Sequence, residues 1–161
     1  MKNLAALSAR VGRRLKASRQ LLVTAESCTG GWAAQAVTSI AGSSDLFERG
    51  FVTYSNDAKR EMLGVSAKVL KGHGAVSEET ARQMARGALS RSKGTVALSI
   101  TGIAGPGGGT REKPVGTVCF AWAKGRALRS ETRRFKGNRE GVRRQSVVHA
   151  LRGVIRLLDS T

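Results

Sequence analysis

Two hydrophobic periods alternate along this chain of 161 residues. Segments whose apolar residues recur every three or four positions predict amphipathic helices, and short runs rich in β-branched residues predict strands. Strands that alternate with helices pack into a sheet with helices on both faces. The sequence therefore predicts an α/β fold, a three-layer α/β/α domain that occupies residues 1–161 as a single unit.

The predicted elements follow the order helix, strand, helix, strand, helix, helix, three strands and helix. Only Lys124, Gly125 and Arg126 separate the last two strands, which predicts an antiparallel hairpin and therefore a mixed sheet. Asn56, Ser77 and Asn138 are the expected N-caps of three helices. The predicted helices are 3–18, 31–41, 56–63, 77–92 and a long helix after Asn138, and the predicted strands are 21–25, 50–54, 95–103, 115–123 and 127–135.

The formal net charge of +17 is unusual for a domain of this size. Ten Lys or Arg residues and only two acids, Glu131 and Glu140, occur within 124–152. Such a charge attracts the phosphates of a nucleotide, a nucleic acid or a membrane surface, but it also arises when arginine is simply common on solvated faces. Aromatic residues make up only 4% of the chain, so no stacking surface for single-stranded nucleic acid is predicted.

The residue pattern disfavours membrane and metal-binding functions. No apolar run is long enough to cross a bilayer, and Ser8 and Arg10 interrupt the N-terminal apolar stretch, as in an amphipathic helix rather than a signal peptide. Cys28, Cys119 and the two histidines lack the spacing of a zinc site. We therefore expect a cytoplasmic protein without membrane association, metal or cofactor.

The loop after the first predicted strand carries the first candidate site. Free backbone N–H groups at a strand–loop–helix junction stabilise an anion, and Ser27 would lie among them. Gly30 and Gly31 would let a ligand approach the backbone closely. The alternative is that Ser27 or Thr29 only caps the helix. For Cys28, a small buried thiol is the simpler interpretation, because no histidine is evident to activate it as a nucleophile.

The loop after the second predicted strand brings a lysine close to a helix start. Tyr54 ends that strand, and Lys59 lies in the first turns of the following helix. The helix dipole disfavours a positive charge there, which lowers the pKa of a lysine and favours the neutral amine of a general base. Without a partner serine, Lys59 would be an ordinary surface lysine. With Ser27 at a neighbouring strand end, the two side chains would form a Ser–Lys pair.

A third loop, at 101–110, contains five glycines in ten residues. It is not a Walker A loop, because no lysine follows a GxxxxG frame. It is not a dinucleotide-binding fingerprint either, because a strand rather than a helix follows it. The loop is therefore either a flexible connection or a backbone shaped to hold a ligand.

Taken together, the three loops closely resemble the CinA C-terminal domain family, whose members include nicotinamide-nucleotide amidohydrolases. The matching motifs follow the family's order through nearly the whole chain. They are AESCTGG at 25–31, FVTYSN at 51–56, AK at 58–59, GAVSE at 74–78, TGIAGPGGGT at 101–110 and EKPVGTV at 112–118, followed by Phe135, Gly137, Arg139 and Arg143.

The resemblance implies an amidohydrolase that converts nicotinamide mononucleotide into nicotinate mononucleotide and ammonia. The family's nucleophile falls on Ser27, and its supporting tyrosine and lysine fall on Tyr54 and Lys59. The sequence does not decide whether Tyr54 or Lys59 takes the first proton.

The resemblance also implies the substrate-binding residues and the assembly. The glycine-rich loop would line the substrate pocket, and an arginine near the last helix would bind the phosphate of this small nucleotide substrate. The expected binding residues are Cys28, Thr29, Gly30, Thr101, Gly102, Arg139 and Arg143. Members of the family need no metal and form homodimers or larger homo-oligomers. We expect the stand-alone form, without the additional N-terminal domain of longer members.

Three other functions are compatible with the sequence. A basic DNA-associated accessory protein would fit the charge, although the few aromatic residues and the missing helix-turn-helix and zinc-finger signatures argue against it. The same serine and lysine would also suit an amidase for another small amide. An inactive family member would act as an oligomeric scaffold.

Overall fold

The computed structural model describes residues 2–161 and confirms the three-layer α/β/α fold. The strands are β1 (Leu22–Glu26), β2 (Phe47–Val52), β3 (Val96–Gly102), β4 (Thr117–Lys124) and β5 (Ala127–Arg134). The helices are α1 (Lys2–Ala17), α2 (Trp32–Thr38), α3 (Asn56–Leu63), α4 (Ala67–His73), α5 (Glu78–Ser90) and α6 (Arg139–Ser160), and a 3-10 turn spans Ser43–Asp45.

The sheet is mixed and has the strand order β2-β1-β3-β4-β5. β1 runs parallel to β2 and β3, whereas β4 is antiparallel to β3 and to β5, which confirms the predicted hairpin. Glu26, the last residue of β1, pairs with Val52 at the end of β2 and with Ile100 near the end of β3. The loops that follow these three strands therefore open at the same edge of the sheet, where α/β proteins commonly bind ligands.

Each face of the sheet is covered by its own helical layer. On one face, α1, α2 and α6 bury a core that includes Leu15, Phe120 and Leu151. On the other face, α3 and α5 bury a smaller core that includes Leu63 and Met84. Along residues 2–161, no helix has the length and apolar character needed to cross a membrane.

The predicted N-caps of two helices are confirmed, and the third is wrong. Ser77 Oγ accepts from the Thr80 N–H at 3.1 Å, and Asn138 Oδ1 accepts from the Gly141 N–H at 2.8 Å. The cap of α3 is Ser55 rather than Asn56. Ser55 has the extended backbone of a cap, and its Oγ accepts from the Ala58 N–H at 2.9 Å, while Asn56 is already helical.

Element boundaries also differ from the sequence prediction, and one helix was not predicted. β2 begins at Phe47 rather than at residue 50. Its first residues include the polar Glu48 and Arg49, and they join the strand because this segment pairs with β1. α2 ends at Thr38 rather than at residue 41, where Thr38 Oγ1 bonds back to the Ala34 carbonyl at 2.8 Å. The short helix α4 was not predicted, because seven residues with two lysines and a glycine give too little apolar periodicity.

Gly153 gives a direct test of the packing between α6 and the sheet. The Trp122 indole N–H donates to the Ala150 carbonyl at 2.8 Å, which fixes the ring against α6. A Cβ at Gly153 would overlap that ring. We expect Gly153→Ala to lower the free energy of unfolding in urea by about 1–3 kcal/mol, the usual cost of overpacking a core.

The control for this prediction is Gly72→Ala in α4, where an added Cβ meets nothing within 4 Å. Because alanine favours helix over glycine, this variant should be neutral or gain up to about 1 kcal/mol. Equal unfolding free energies for Gly153→Ala and the wild type would contradict the described packing.

Candidate active site

A cavity of about 270 Å³ opens at the edge of the sheet where β1, β2 and β3 end. All three loops identified in the sequence contribute to its wall, together with the segment before α5 and the first residue of α6. The lining residues are Ser27, Cys28, Tyr54, Asn56, Lys59, Ala75, Val76, Thr101, Gly102, Ile103, Ala104, Gly105, Gly107, Gly108 and Arg139.

Lys59 and Ser27 form a buried pair in this cavity. The Lys59 Nζ lies 3.0 Å from Ser27 Oγ and donates to the Thr53 carbonyl at 2.9 Å and the Tyr54 carbonyl at 3.3 Å. Only 1% of the Lys59 surface is exposed, so the interpretation as an ordinary surface lysine is wrong. The predicted Ser–Lys pair is therefore present in the structure.

Burial lowers the pKa of Lys59 from its ordinary value of 10.5. The amine is surrounded by a hydroxyl and two carbonyls, and no carboxylate of residues 2–161 is among its hydrogen-bond partners. Desolvation without a counter-charge favours the neutral amine. The pKa moves in the direction expected from the sequence, and burial is the largest cause of the shift.

The backbone of Ser27 is held by the sheet. Its N–H donates to the Ile100 carbonyl at 2.9 Å, which continues the pairing of β1 with β3. Its carbonyl accepts from the Gly30 N–H at 3.1 Å, which closes a turn. On the other side, the Thr53 N–H donates to the Glu26 carbonyl at 2.8 Å. Ser27 and the chain leading to Lys59 therefore leave the sheet from adjacent, hydrogen-bonded strands.

Glu26 holds the Ser27 loop in place, a role that the sequence did not reveal. Its fully buried carboxylate accepts from Thr29 Oγ1 at 2.6 Å and from the N–H groups of Ala33 and Ala34 at 2.8 and 3.1 Å. The N-cap residue of α2 is Gly31, and the Glu26 carboxylate accepts from the first N–H groups of the helix, so the alternative that Ser27 or Thr29 is the cap is wrong. The available signal was an acid at the end of an apolar strand, which needs several donors if it is buried.

Cys28 has the properties of a buried thiol. Burial raises its pKa to about 12, so the thiol is protonated at neutral pH. A thiolate is the reactive form of cysteine, and this environment suppresses it. Cys28 lines the cavity together with Ser27.

Tyr54 contacts Lys59 through its backbone rather than through its phenol. Its carbonyl accepts from Lys59 Nζ, while its side chain is 63% exposed at the cavity mouth. The phenol oxygen accepts from Arg139 Nη2 at 3.1 Å. Arg139 also donates through Nη1 to the Gly105 carbonyl at 2.7 Å, so it links the mouth of the cavity to the glycine-rich loop.

The glycine-rich loop contributes mainly backbone to the cavity. Thr101 is fixed by its Oγ1, which donates to the Ala75 carbonyl at 2.8 Å. A Cβ at Gly102 would come within 2.7 Å of the Val118 side chain, so only glycine fits between β3 and β4 there. The loop is therefore a wall of the cavity rather than a connection remote from it.

The structure brings together most, but not all, of the residues predicted to bind substrate. Cys28, Thr101, Gly102 and Arg139 line the cavity. The other three residues do not line the cavity: Thr29 and Gly30 belong to the Ser27 loop, and Arg143 contacts that loop from α6. Arg143 donates to the Cys28 carbonyl at 3.1 Å and to the Thr29 carbonyl at 3.2 Å.

Comparison with known proteins identifies the family of this chain. The sequence model described as CinA C-terminal domain matches residues 4–158. The chain belongs to the CinA C-terminal domain family. It is 56% identical to "Nicotinamide-nucleotide amidohydrolase PncC" of Escherichia coli (strain K12), over 90% of this chain and 88% of that protein. It is 52% identical to the protein of the same name from Enterobacter agglomerans, over 96% and 95% of the two chains.

A solved structure extends the likeness to the whole fold of this CinA C-terminal domain. The crystal structure of competence/damage inducible protein CihA from Agrobacterium tumefaciens superposes with a TM-score of 0.93 at 47% identity. The match covers 96% of this chain and 94% of the other. The fold that the two proteins share therefore includes the sheet edge at which the Ser27–Lys59 cavity lies in this chain.

The ionisation of Lys59 can be measured directly. The chain has nine lysines, and carbon-13 labelling at their Cε atoms reports the titration of each amine. We expect the Lys59 signal, assigned by its loss in Lys59→Arg, to titrate below 10.5, because burial disfavours the charged form. A Lys59 titration at or above 10.5 would contradict the proposed neutral amine.

Proposed function

We propose that this protein hydrolyses the carboxamide of nicotinamide mononucleotide and releases nicotinate mononucleotide and ammonia. The observation that carries the proposal is the buried contact of 3.0 Å between Lys59 Nζ and Ser27 Oγ in a cavity at the sheet edge. The two relatives named nicotinamide-nucleotide amidohydrolase, at 56% and 52% identity, support the substrate.

In the first half of the reaction, Ser27 is the nucleophile and Lys59 is the base. The neutral Lys59 amine accepts the hydroxyl proton as Ser27 Oγ attacks the carboxamide carbon. The tetrahedral intermediate then breaks its carbon–nitrogen bond, and the proton passes from Lys59 to the departing amine, which leaves as ammonia. An ester between Ser27 and the nicotinoyl group remains.

In the second half, water replaces the amine. Lys59 accepts a proton from the water that attacks the ester carbon, and then returns a proton to Ser27 Oγ as the ester bond breaks. Nicotinate mononucleotide leaves, and the pair is restored. We assign the first proton to Lys59 rather than to Tyr54, because the Tyr54 phenol contacts Arg139 instead of Ser27.

The backbone of the Ser27 loop supports an oxyanion site. The N–H groups of Ser27 and Gly30 already donate to the carbonyls of Ile100 and Ser27. Within residues 2–161, the Cys28 N–H donates to no oxygen, and Cys28 lines the cavity. We therefore assign the Cys28 N–H to the negative oxygen of the tetrahedral intermediate, where a fixed donor is worth most.

Of the two arginines predicted to bind the substrate phosphate, Arg139 is a better candidate than Arg143. It lines the cavity mouth, and its known partners are the neutral Gly105 carbonyl and Tyr54 phenol, with no carboxylate within salt-bridge distance in the described chain. A guanidinium with such partners is available to a phosphate. We extend the proposal to a cytoplasmic homodimer or larger homo-oligomer, as the resemblance to the family implies.

The nucleophile assignment is tested by a pair of adjacent substitutions. We expect Ser27→Ala to reduce ammonia release from nicotinamide mononucleotide to the background rate, because no attacking group remains. Cys28→Ala is the matched control and should stay active, since its thiol is buried and protonated. Thermal unfolding should show that both variants are folded. An active Ser27→Ala with an inactive Cys28→Ala would reverse the assignment.

The phosphate contact is tested by comparing nicotinamide mononucleotide with nicotinamide riboside, which lacks the phosphate. The wild type should strongly prefer the mononucleotide. Arg139→Ala should raise KM for the mononucleotide by about 10- to 150-fold, which corresponds to about 1.5–3 kcal/mol for a hydrogen bond to a charged group. Arg134→Ala is the control, because Arg134 is exposed and does not line the cavity.

A DNA-binding assay, together with the substrate comparison, separates this proposal from a nucleic-acid function. Binding to duplex DNA that is tight and falls steeply with added salt would favour the DNA-associated alternative. That outcome, combined with equal turnover of the mononucleotide and the riboside, would contradict the proposed activity. Ammonia release from an unrelated small amide, but not from the mononucleotide, would instead favour another amidase.

A further inference from the structure

Arg143 donates hydrogen bonds to the loop that contains the proposed nucleophile, Ser27. We infer that Arg143 is a positioning residue, which orients the peptide groups after Ser27 for the reaction rather than binding the substrate phosphate. The inference rests on the proposed function for its kinetic test, and it concerns a residue that does not line the cavity.

The guanidinium makes two contacts with consecutive carbonyls of the loop. Nε donates to the Cys28 carbonyl at 3.1 Å, and Nη2 donates to the Thr29 carbonyl at 3.2 Å. The side chain also packs close to Gly30, where an added Cβ would lie 3.3 Å from Nη2. One side chain from α6 therefore fixes two peptide groups that are 115 and 114 residues away in the sequence.

Fixing these carbonyls also fixes the N–H groups of the same peptide planes. In a trans peptide, the C=O and N–H bonds point in opposite directions. Because the Cys28 carbonyl points towards Arg143, the Thr29 N–H points away from it. The Gly30 N–H, in the next peptide plane, points back to the Ser27 carbonyl at 3.1 Å. Arg143 thus fixes the Thr29–Gly30 peptide plane, whose N–H closes the turn that contains Ser27 and the Cys28 N–H.

Glu26 holds the same loop through a different set of groups. Its carboxylate binds the Thr29 hydroxyl and the first N–H groups of α2, so it restrains the loop through side-chain and helix contacts. Arg143 restrains the same loop through its carbonyls. The Glu26 carboxylate therefore accepts hydrogen bonds from the loop, and the Arg143 guanidinium donates hydrogen bonds to it. Together these contacts restrict the rotation of the loop's peptide planes.

The surroundings of Arg143 suit a fixed guanidinium. Its Cζ lies 5.7 Å from the centroid of the Trp32 ring, a cation–π contact that orients the planar group. Within residues 2–161, no carboxylate lies within 4.0 Å of it, so its polar partners are the two loop carbonyls. A lysine has neither the planar fork nor the stacking geometry needed to reproduce these contacts.

Arg144 provides a matched control. It is the next residue of α6, and its Cζ lies 5.4 Å from the centroid of the same Trp32 ring. It has the same charge and the same aromatic neighbour, but in the described chain it donates no hydrogen bond to the Ser27 loop. A difference between substitutions at Arg143 and Arg144 therefore reports the carbonyl contacts rather than charge or stacking.

The kinetic experiment compares Arg143→Ala, Arg143→Lys and Arg144→Ala in ammonia release from nicotinamide mononucleotide and nicotinamide riboside. A misplaced nucleophile or oxyanion donor typically costs about 100-fold in rate. We expect Arg143→Ala to lower kcat by about that factor, with KM for the mononucleotide and the preference over the riboside unchanged. Arg143→Lys should remain impaired although it keeps the charge, and Arg144→Ala should behave like the wild type.

Two kinetic outcomes would overturn the inference. If Arg143→Ala raises KM for the mononucleotide and erases the preference over the riboside, Arg143 binds phosphate. If Arg143→Ala matches Arg144→Ala and the wild type in kcat, the carbonyl contacts do not matter to the reaction. Arg143→Lys keeps the long aliphatic stem, so it supplies a folded variant for the comparison if the alanine variant unfolds.

A second measurement does not depend on the substrate. A fluorophosphonate reacts with an activated serine by forming an Oγ–phosphorus bond and releasing fluoride, and mass spectrometry locates the adduct. We expect Ser27 to be labelled quickly in the wild type and Arg144→Ala, and about 100-fold more slowly in Arg143→Ala. Equal labelling rates would overturn the inference. Labelling of Ser27 in a wild type that does not hydrolyse the mononucleotide would reject the proposed substrate while leaving this comparison intact.

Discussion

A buried amine against a serine hydroxyl is the contact on which the site depends. Lys59 Nζ lies 3.0 Å from Ser27 Oγ, and only 1% of the lysine is exposed. A charged amine loses its hydration on burial, so the folded chain favours the neutral form that accepts a proton. The two residues are 32 positions apart, and parallel pairing of β1 with β2 brings them together.

Much of the surrounding structure keeps that contact in place. Backbone pairing holds Ser27 to Ile100 and Thr53 to Glu26, so the two loops start from fixed points on the sheet. The Glu26 carboxylate then binds the start of α2. Glycine at 102 allows the start of the glycine-rich loop to lie close to β4, and this loop forms one wall of the cavity. Backbone geometry sets the positions, and a few side chains supply the chemistry.

Sequence patterns predicted the layers of the fold and the Ser27–Lys59 pair, because hydrophobic period and loop composition are local features. They did not predict that β2 would begin at Phe47 or that the Glu26 carboxylate would bind the start of α2, because both depend on tertiary contacts. The partners of Tyr54 and Arg143 were hidden for the same reason: a side chain's type is local, but what it touches is decided by tertiary packing.

The account is tested most directly by the pH dependence of kcat/KM for ammonia release from nicotinamide mononucleotide. This quantity reports ionisations of the free enzyme. If the neutral Lys59 amine is the base, activity rises with pH along one limb. Its midpoint lies below 10.5 and equals the Lys59 titration seen by NMR, and Lys59→Arg is nearly inactive throughout. A Lys59→Arg enzyme with wild-type activity, or a limb unrelated to the Lys59 titration, would contradict the account.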